Sequence, residues 1–308
     1  MNTEASLRGL WPALLTPLDE WLNIDTPVFA AHALALLDAG CVGVTPFGTT
    51  GEGPSFSVGE RLLAIDALVA AGVPAQRLLV STSCAALPDV IELTRHAVGL
   101  GACGCMMLPP FFLKDVPDQG VIDAYRSVID AVADPRLRIV LYHIPQISGV
   151  ALSPVVIRTL MTMYPDTIVG LKDSGGDRAA SLAFAAEFMP PLQVWVGNEP
   201  DVPAIAAQGA LGSVSGIANI LPHLVQRLVD DFRGPQAGLD LQRVTVLLDM
   251  LRSYGLTSAL KAVLAIQHQQ RSWLRVRPPL LALSDDQFER LAHQWRAFAD
   301  AVAPDVVV

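Results

Sequence analysis

Thr167-Ile168-Val169-Gly170-Leu171-Lys172-Asp173-Ser174 is the stretch on which the reading of this chain turns. Up to Leu171 it is uncharged and rich in Ile, Val and Leu, which suits a short strand buried on both faces of a parallel sheet. Lys172 then stands at the end of the run, where an ammonium is least expected. The chain holds three lysines, Lys114, Lys172 and Lys261, beside eighteen arginines, so its other cationic positions use guanidinium almost throughout. A lysine in low-dielectric surroundings gives up its proton more readily, because burial disfavours the charged form. A neutral amine can attack a carbonyl and form a Schiff base, which arginine cannot do. The other reading of the same residue is a strand-end lysine whose head reaches water or pairs with Asp173. This segment by itself leaves both open.

Working outward, comparable apolar runs recur at residues 10–15, 41–46, 78–83, 104–108, 138–143, 167–172, 193–197 and 212–217, each followed by a helix-like segment. They lie about 20 to 35 residues apart, the length of a strand–helix unit. Apolar residues from Val28 to Leu37 recur at helical spacing, Ser57 and Glu60 form a capping box, and Pro154 opens a further helix at a first-turn position. Eight such units predict an α/β fold, a closed (β/α)8 TIM barrel. An open doubly wound sheet would be expected to carry fewer strands, and no G-x-G-x-x-G follows the first run. Beyond Pro222 the alternation stops. Residues 224–232, 239–254, 258–269 and 284–302 read as helices, punctuated by Gly234-Pro235, Gly255 and Pro278-Pro279. The expected organisation is a catalytic barrel over 1–233 and a C-terminal helical extension over 234–308.

Composition narrows the function classes. Of 308 residues, 52% are hydrophobic and 17% charged, which indicates a large core and little disorder. No run of apolar residues is long enough for a membrane span, and Met1 to Arg8 lacks the features of a secretory signal, so a cytoplasmic location is expected. The formal charge of -9, with no basic cluster beyond Arg271 to Arg277, argues against a nucleic-acid partner. Cys41, Cys84, Cys103 and Cys105 lack metal-site spacing and read as buried thiols in a reducing compartment; no metal is expected.

In barrels of this kind the active site lies at the C-terminal ends of the strands. The second run leads into Phe47-Gly48-Thr49-Thr50-Gly51-Glu52-Gly53, whose hydroxyls and unhindered N–H groups could cradle a carboxylate. The same loop could equally be a glycine-rich turn that caps the next helix. The fifth run ends in Leu141-Tyr142-His143, where a tyrosine facing the mouth could shuttle a proton, or else be a core aromatic bonded to backbone. Strand alternation points His143 away from Tyr142, toward the helices. There is no H-E-x-x-H and no G-x-S-x-G elbow. An amine, a phenol and an anion cradle converging on one mouth would suit metal-free Schiff-base chemistry on a 2-oxo acid.

These motifs resemble the dihydrodipicolinate synthase/N-acetylneuraminate lyase family of pyruvate-dependent class I aldolases. The likeness runs from Gly9-Leu10-Trp11-Pro12 into the C-terminal helices. It rests on the order and separation of Gly48-Thr49-Thr50-Gly51-Glu52, Tyr142-x-x-Pro145 with Ser148-Gly149, and Gly170-Leu171-Lys172-Asp173. The resemblance implies Lys172 as the Schiff-base lysine and Tyr142 as proton donor and acceptor. It implies Thr49 as a hydroxyl relay to Tyr142, Thr50 with Gly48 at the pyruvate carboxylate, and Val214 near the bound pyruvate. It implies no cofactor and a homo-oligomer, a tetramer made from tight dimers. Two departures bear on the second substrate. Ile147 stands where the family's synthases carry an arginine that grips a carboxylate, and Phe111-Phe112 replaces their tyrosine pair. Loss of a charged partner disfavours lysine biosynthesis. A 2-keto-3-deoxy sugar acid, cleaved to pyruvate and an aldehyde or dehydrated, is the substrate the resemblance then favours.

Overall fold

The computed structural model describes residues 7–210 and 212–302. Of the leading segment in which no secretory signal is expected, Met1–Arg8, only Leu7 and Arg8 fall within it, and the end of the extension, 303–308, lies outside the described residues.

Seven parallel strands form the core: β1 (Gly9–Pro12), β2 (Leu79–Ser81), β3 (Gly104–Met107), β4 (Ile139–His143), β5 (Ile168–Asp173), β6 (Gln193–Val196) and β7 (Gly212–Ser215). They lie in the order β1-β7-β6-β5-β4-β3-β2. The run 41–46, expected as a strand, is reduced to single bridges from Thr45 to Ala13 and from Val44 to Leu78. Its backbone nonetheless hydrogen-bonds to both neighbours. Val42 N–H and Thr45 N–H donate to the carbonyls of Leu10 and Pro12, and Leu79 N–H and Ser81 N–H donate to those of Val44 and Pro46. The segment therefore closes the ring as an eighth stave. Its irregularity has one cause in neighbouring elements and one within the run. A side chain at Gly43 would run into the Trp11 ring and the Arg77 carbonyl, so the backbone passes closer to its neighbours than a regular strand allows. Pro46 has no N–H to continue the ladder.

Alternate residues of each strand divide into two cores. Trp11, Leu79, Met106, Val140, Trp195 and Val214 fill the barrel interior. Leu10, Val80, Cys105, Leu141, Leu171 and Val194 face the surrounding helices. The predicted capping box forms, Ser57 and Glu60 exchanging both hydrogen bonds at the start of helix Val58–Ala70, and Pro154 opens helix Pro154–Met163 as expected, with Ser153 as its cap. After helix Pro222–Asp230 come Ala237–Arg252, Leu256–Gln267 and Asp285–Val302, each starting or ending within a few residues of its predicted limits. Among the described residues, no helix is long and apolar enough to cross a membrane.

His32 joins the first helix to the closure of the barrel. Its Nε2–H donates to Asn219 Oδ1 at 3.0 Å, the oxygen that also accepts Leu15 N–H, and its ring meets Trp273 edge-on at 5.1 Å. Burial pushes the imidazole down from 6.5 to about 4, against the Asn219 bond. Because the folded value lies below the unfolded one, the unfolded chain binds more protons in this window. The stabilising contribution is complete above the unfolded value and is lost as pH falls toward the folded one, by up to about 3 kcal/mol. The melting temperature should therefore drop on acidification through this window, and His32→Gln should flatten the drop. Parallel profiles for the two proteins would remove His32 as the cause.

Candidate active site

Register and alternation bring two of the predicted residues together. Tyr142 on β4 lies opposite Lys172 on β5, so both side chains enter the barrel at the same height. Lys172 is 4% exposed and Tyr142 2% exposed. The Lys172 Nζ lies 4.3 Å from the centroid of the Tyr142 ring, over its face. The Tyr142 hydroxyl is 3.2 Å from Thr49 Oγ1, near enough for a hydrogen bond in which either can donate.

The ion pair that the sequence left open does not form. Asp173 faces the helices, where its carboxylate accepts Gly175 N–H at 2.8 Å and the Ser181 hydroxyl. His143 faces the same way: Nδ1 accepts Leu152 N–H at 3.1 Å and the ring packs edge-on against Phe184. Burial holds its imidazole below the usual histidine value, opposed by the Asp173 charge. Neither residue points into the mouth.

The loop that carries Thr49 and Thr50 is tightly folded. Phe47 and Glu52 both adopt left-handed backbone conformations, at φ 60° and 57°. Glu52 N–H donates to Thr49 O, Gly53 N–H donates to Gly48 O, and the Thr16 hydroxyl donates to Gly51 O at 2.7 Å. Thr50 reaches toward the end of β7, where a Cβ on Gly216 would sit 3.5 Å from Thr50 Oγ1. Gly48 is buried next to Met106. Val214 is buried on β7 in the interior cluster that includes Tyr142 and Trp195.

Ile147 is not enclosed by this group. It lies in the short helix Pro145–Ser148 and is 59% exposed, while Phe112 on the loop after β3 is 75% exposed. Lys114 ties these two loops together, its ammonium donating to Ser148 O at 2.6 Å and to Phe111 O. The two departures from the synthase pattern thus sit on adjacent, joined loops.

Gly197, just past the end of β6, escaped the sequence reading. A Cβ there would lie 3.0 Å from Lys172 Cε and would overlap Ser174 Oγ. Absence of a side chain at this position leaves room for the lysine stem and the serine. Only the pairing of β5 with β6, which sets Asp173 opposite Val196, reveals it. The arrangement as a whole offers a buried amine over a phenol ring, a phenol hydroxyl within hydrogen-bond reach of Thr49, and a loop carrying two threonines, with apolar residues around them. Among the described residues no three or more His, Cys, Asp or Glu side chains gather where they could hold a metal ion.

Comparison with known proteins shows the family. The sequence model of the Dihydrodipicolinate synthetase family matches residues 6–297. An uncharacterized DapA-like lyase of Chloroflexus aurantiacus is 31% identical over 303 residues, 97% of this chain and 100% of that protein. The dihydrodipicolinate synthase of Agrobacterium tumefaciens superposes with a TM-score of 0.88 at 29% identity, over 94% of this chain and 99% of that one. A sialic acid aldolase of Ruminococcus gnavus, in a catalytic lysine mutant, shares the fold with a TM-score of 0.87 at 23% identity, over 98% of each chain. The chain therefore belongs to the dihydrodipicolinate synthetase family, built on the (β/α)8 barrel.

Proposed function

We propose that the protein is a class I lyase that breaks or forms a carbon–carbon bond in a 2-oxo acid through a pyruvate enamine held on Lys172. The observation that carries this reading is the buried Lys172 amine over the Tyr142 ring, with the Tyr142 hydroxyl in reach of Thr49. In the cleavage direction the Lys172 amine adds to the C2 ketone and water leaves, giving an iminium. Tyr142 supplies and takes back the protons of that step. The C3–C4 bond then breaks, its electron pair moving toward the iminium to give an enamine. The C4 hydroxyl gives its proton to the Tyr142 oxygen, and the fragment from C4 onward departs as an aldehyde. Protonation at C3 and addition of water release pyruvate and the free lysine. Thr50 and Gly48 hold the carboxylate, with the Val214 backbone carbonyl near the bound pyruvate. No cofactor is required.

A 2-keto-3-deoxy sugar acid is the substrate proposed. Ile147 offers no charge to grip the carboxylate of aspartate semialdehyde, and Phe112 has no proton to pass. A coupled assay for pyruvate release from 2-keto-3-deoxygluconate and 2-keto-3-deoxyarabonate tests this. Pyruvate from either supports it, whereas a dehydrated product that keeps all the carbons, or turnover restricted to aspartate semialdehyde with pyruvate, overturns it. Binding of pyruvate without turnover on any of these would identify a non-catalytic binder on the same scaffold.

Gly197→Ala should slow formation of the lysine adduct by about 10- to 100-fold through displacement of the Lys172 stem, with the fold intact. A stopped-flow or quenched trapping rate equal to the wild type's would contradict that role for Gly197. The protein is further proposed to work in the cytoplasm, in keeping with four free cysteines. It is also proposed to act as a homo-oligomer. Exposed Phe112 and Leu113 edge an apolar cavity of about 650 Å³ beside Met107 and Tyr125, a surface that a second copy could cover.

A further inference from the structure

The C-terminal helices touch the Thr49–Thr50 loop through one buried ion pair. Lys261, on helix Leu256–Gln267, is 0% exposed. Its ammonium donates to Glu52 Oε1 at 2.7 Å and to Thr16 O at 2.8 Å. The other Glu52 oxygen accepts Arg277 N–H at 2.9 Å, and the Arg277 side chain donates onward to Ser55 O. Thr16 in turn bonds Gly51 O, so the loop is held from three directions. Leu260, next to Lys261, reaches the same point as Thr50: a Cβ on Gly216 would sit 3.5 Å from the side chains of both.

Two physical points separate this pair from ordinary packing. A buried ion pair adds little net stability over an apolar pair of the same volume, because desolvation offsets most of the attraction, whereas its geometry is demanding. The loop also holds two non-glycine residues, Phe47 and Glu52, in left-handed conformations that are intrinsically unfavourable and persist only where surrounding contacts enforce them. Of the two, Glu52 is also the one anchored by the ion pair.

We propose that Lys261, through Glu52, is a positioning residue for the catalytic loop, so that the C-terminal extension sets the placement of Thr49 and Thr50 at the barrel mouth. This rests on the reading of those threonines as relay and carboxylate ligand. The test uses full-length Lys261→Met and the charge-free double variant Glu52→Gln/Lys261→Met, which leaves no unpaired buried charge if the single variant fails to fold. Hydrogen exchange is followed at the Glu52 and Gly53 amides and along helix Leu256–Gln267. Borohydride trapping is measured against pyruvate concentration.

The expected result is exchange at Glu52 and Gly53 faster by about tenfold or more, with helix protection retained. Half-saturating pyruvate should rise by about 10- to 100-fold. Wild-type exchange and wild-type pyruvate dependence in a folded double variant overturn the proposal. So does uniform loss of protection across loop and helix, the mark of a merely structural pair. A wild-type protein that is never trapped removes the Lys172 reading instead, and exchange at Glu52 and Gly53 still decides whether Lys261 positions the loop.

Discussion

Lys172→Ala is expected to lose turnover by about 10⁴-fold or more, the scale on which removal of a covalent nucleophile registers. The fold should survive the change. Asp173 keeps its bonds to Gly175 N–H and the Ser181 hydroxyl, and Tyr142 keeps its contact with Thr49. Loss of the buried stem leaves a small apolar gap at the mouth of the barrel, with a cost of about 1–3 kcal/mol. Lys172→Met fills that gap and should be as inactive as the alanine variant. Kinetics at saturating substrate, set beside melting curves, separate chemistry from stability. Lys114→Met provides the contrast: that ammonium lies on the surface against two carbonyls, and its loss should loosen the loops around Phe111 and Ser148 without removing the reaction. Activity within tenfold of wild type in Lys172→Met would assign the nucleophile elsewhere.

Tyr142→Phe carries the second large effect. The substitution keeps the ring beneath the Lys172 amine and removes only the hydroxyl that meets Thr49. If that hydroxyl moves the protons of iminium formation and release, kcat should fall by about 10²–10⁴-fold, the usual contribution of a positioned acid or base. Pyruvate should still be captured by Lys172, more slowly. Thr49→Val should act in the same direction and less strongly, since it removes the relay and leaves the phenol in place. The pattern discriminates between an enzyme and a binding protein. In a binder that merely holds an oxo acid, loss of one phenolic oxygen would leave occupancy almost unchanged and there would be no rate to lose.

The fold was legible because apolar runs of strand length alternate with helical spacing over most of the chain. The one run that departs from a regular strand, 41–46, does so for a reason that lies partly in another element. Trp11 occupies the space beside Gly43, which nothing in the run announces; Pro46 is the part of the cause that the run itself carries. Lys172, Tyr142 and Thr49 could be nominated because each closes an apolar run or opens a glycine-rich loop, places where alternation and barrel geometry converge on one mouth. Ile147 could be nominated only from resemblance, and its exposure leaves it at the rim. Gly197 and Lys261 were hidden for a different reason. Gly197 matters through its spatial neighbour on β5. Lys261 reaches Glu52 across a separation of 209 residues, which depends on how the extension folds back over the barrel. The scarcity of lysine in the chain marks Lys261 without placing it.

The proposed chemistry requires that the Lys172 amine become covalently joined to substrate. Incubation of the wild-type protein with pyruvate and borohydride, followed by peptide mass mapping, answers this directly. With three lysines in the chain, the map is unambiguous. The predicted result is one pyruvyl group on Lys172, absent from Lys172→Met and from samples without pyruvate. An unmodified Lys172 under conditions where pyruvate demonstrably binds, or an adduct on Lys114 or Lys261 in its place, would contradict it.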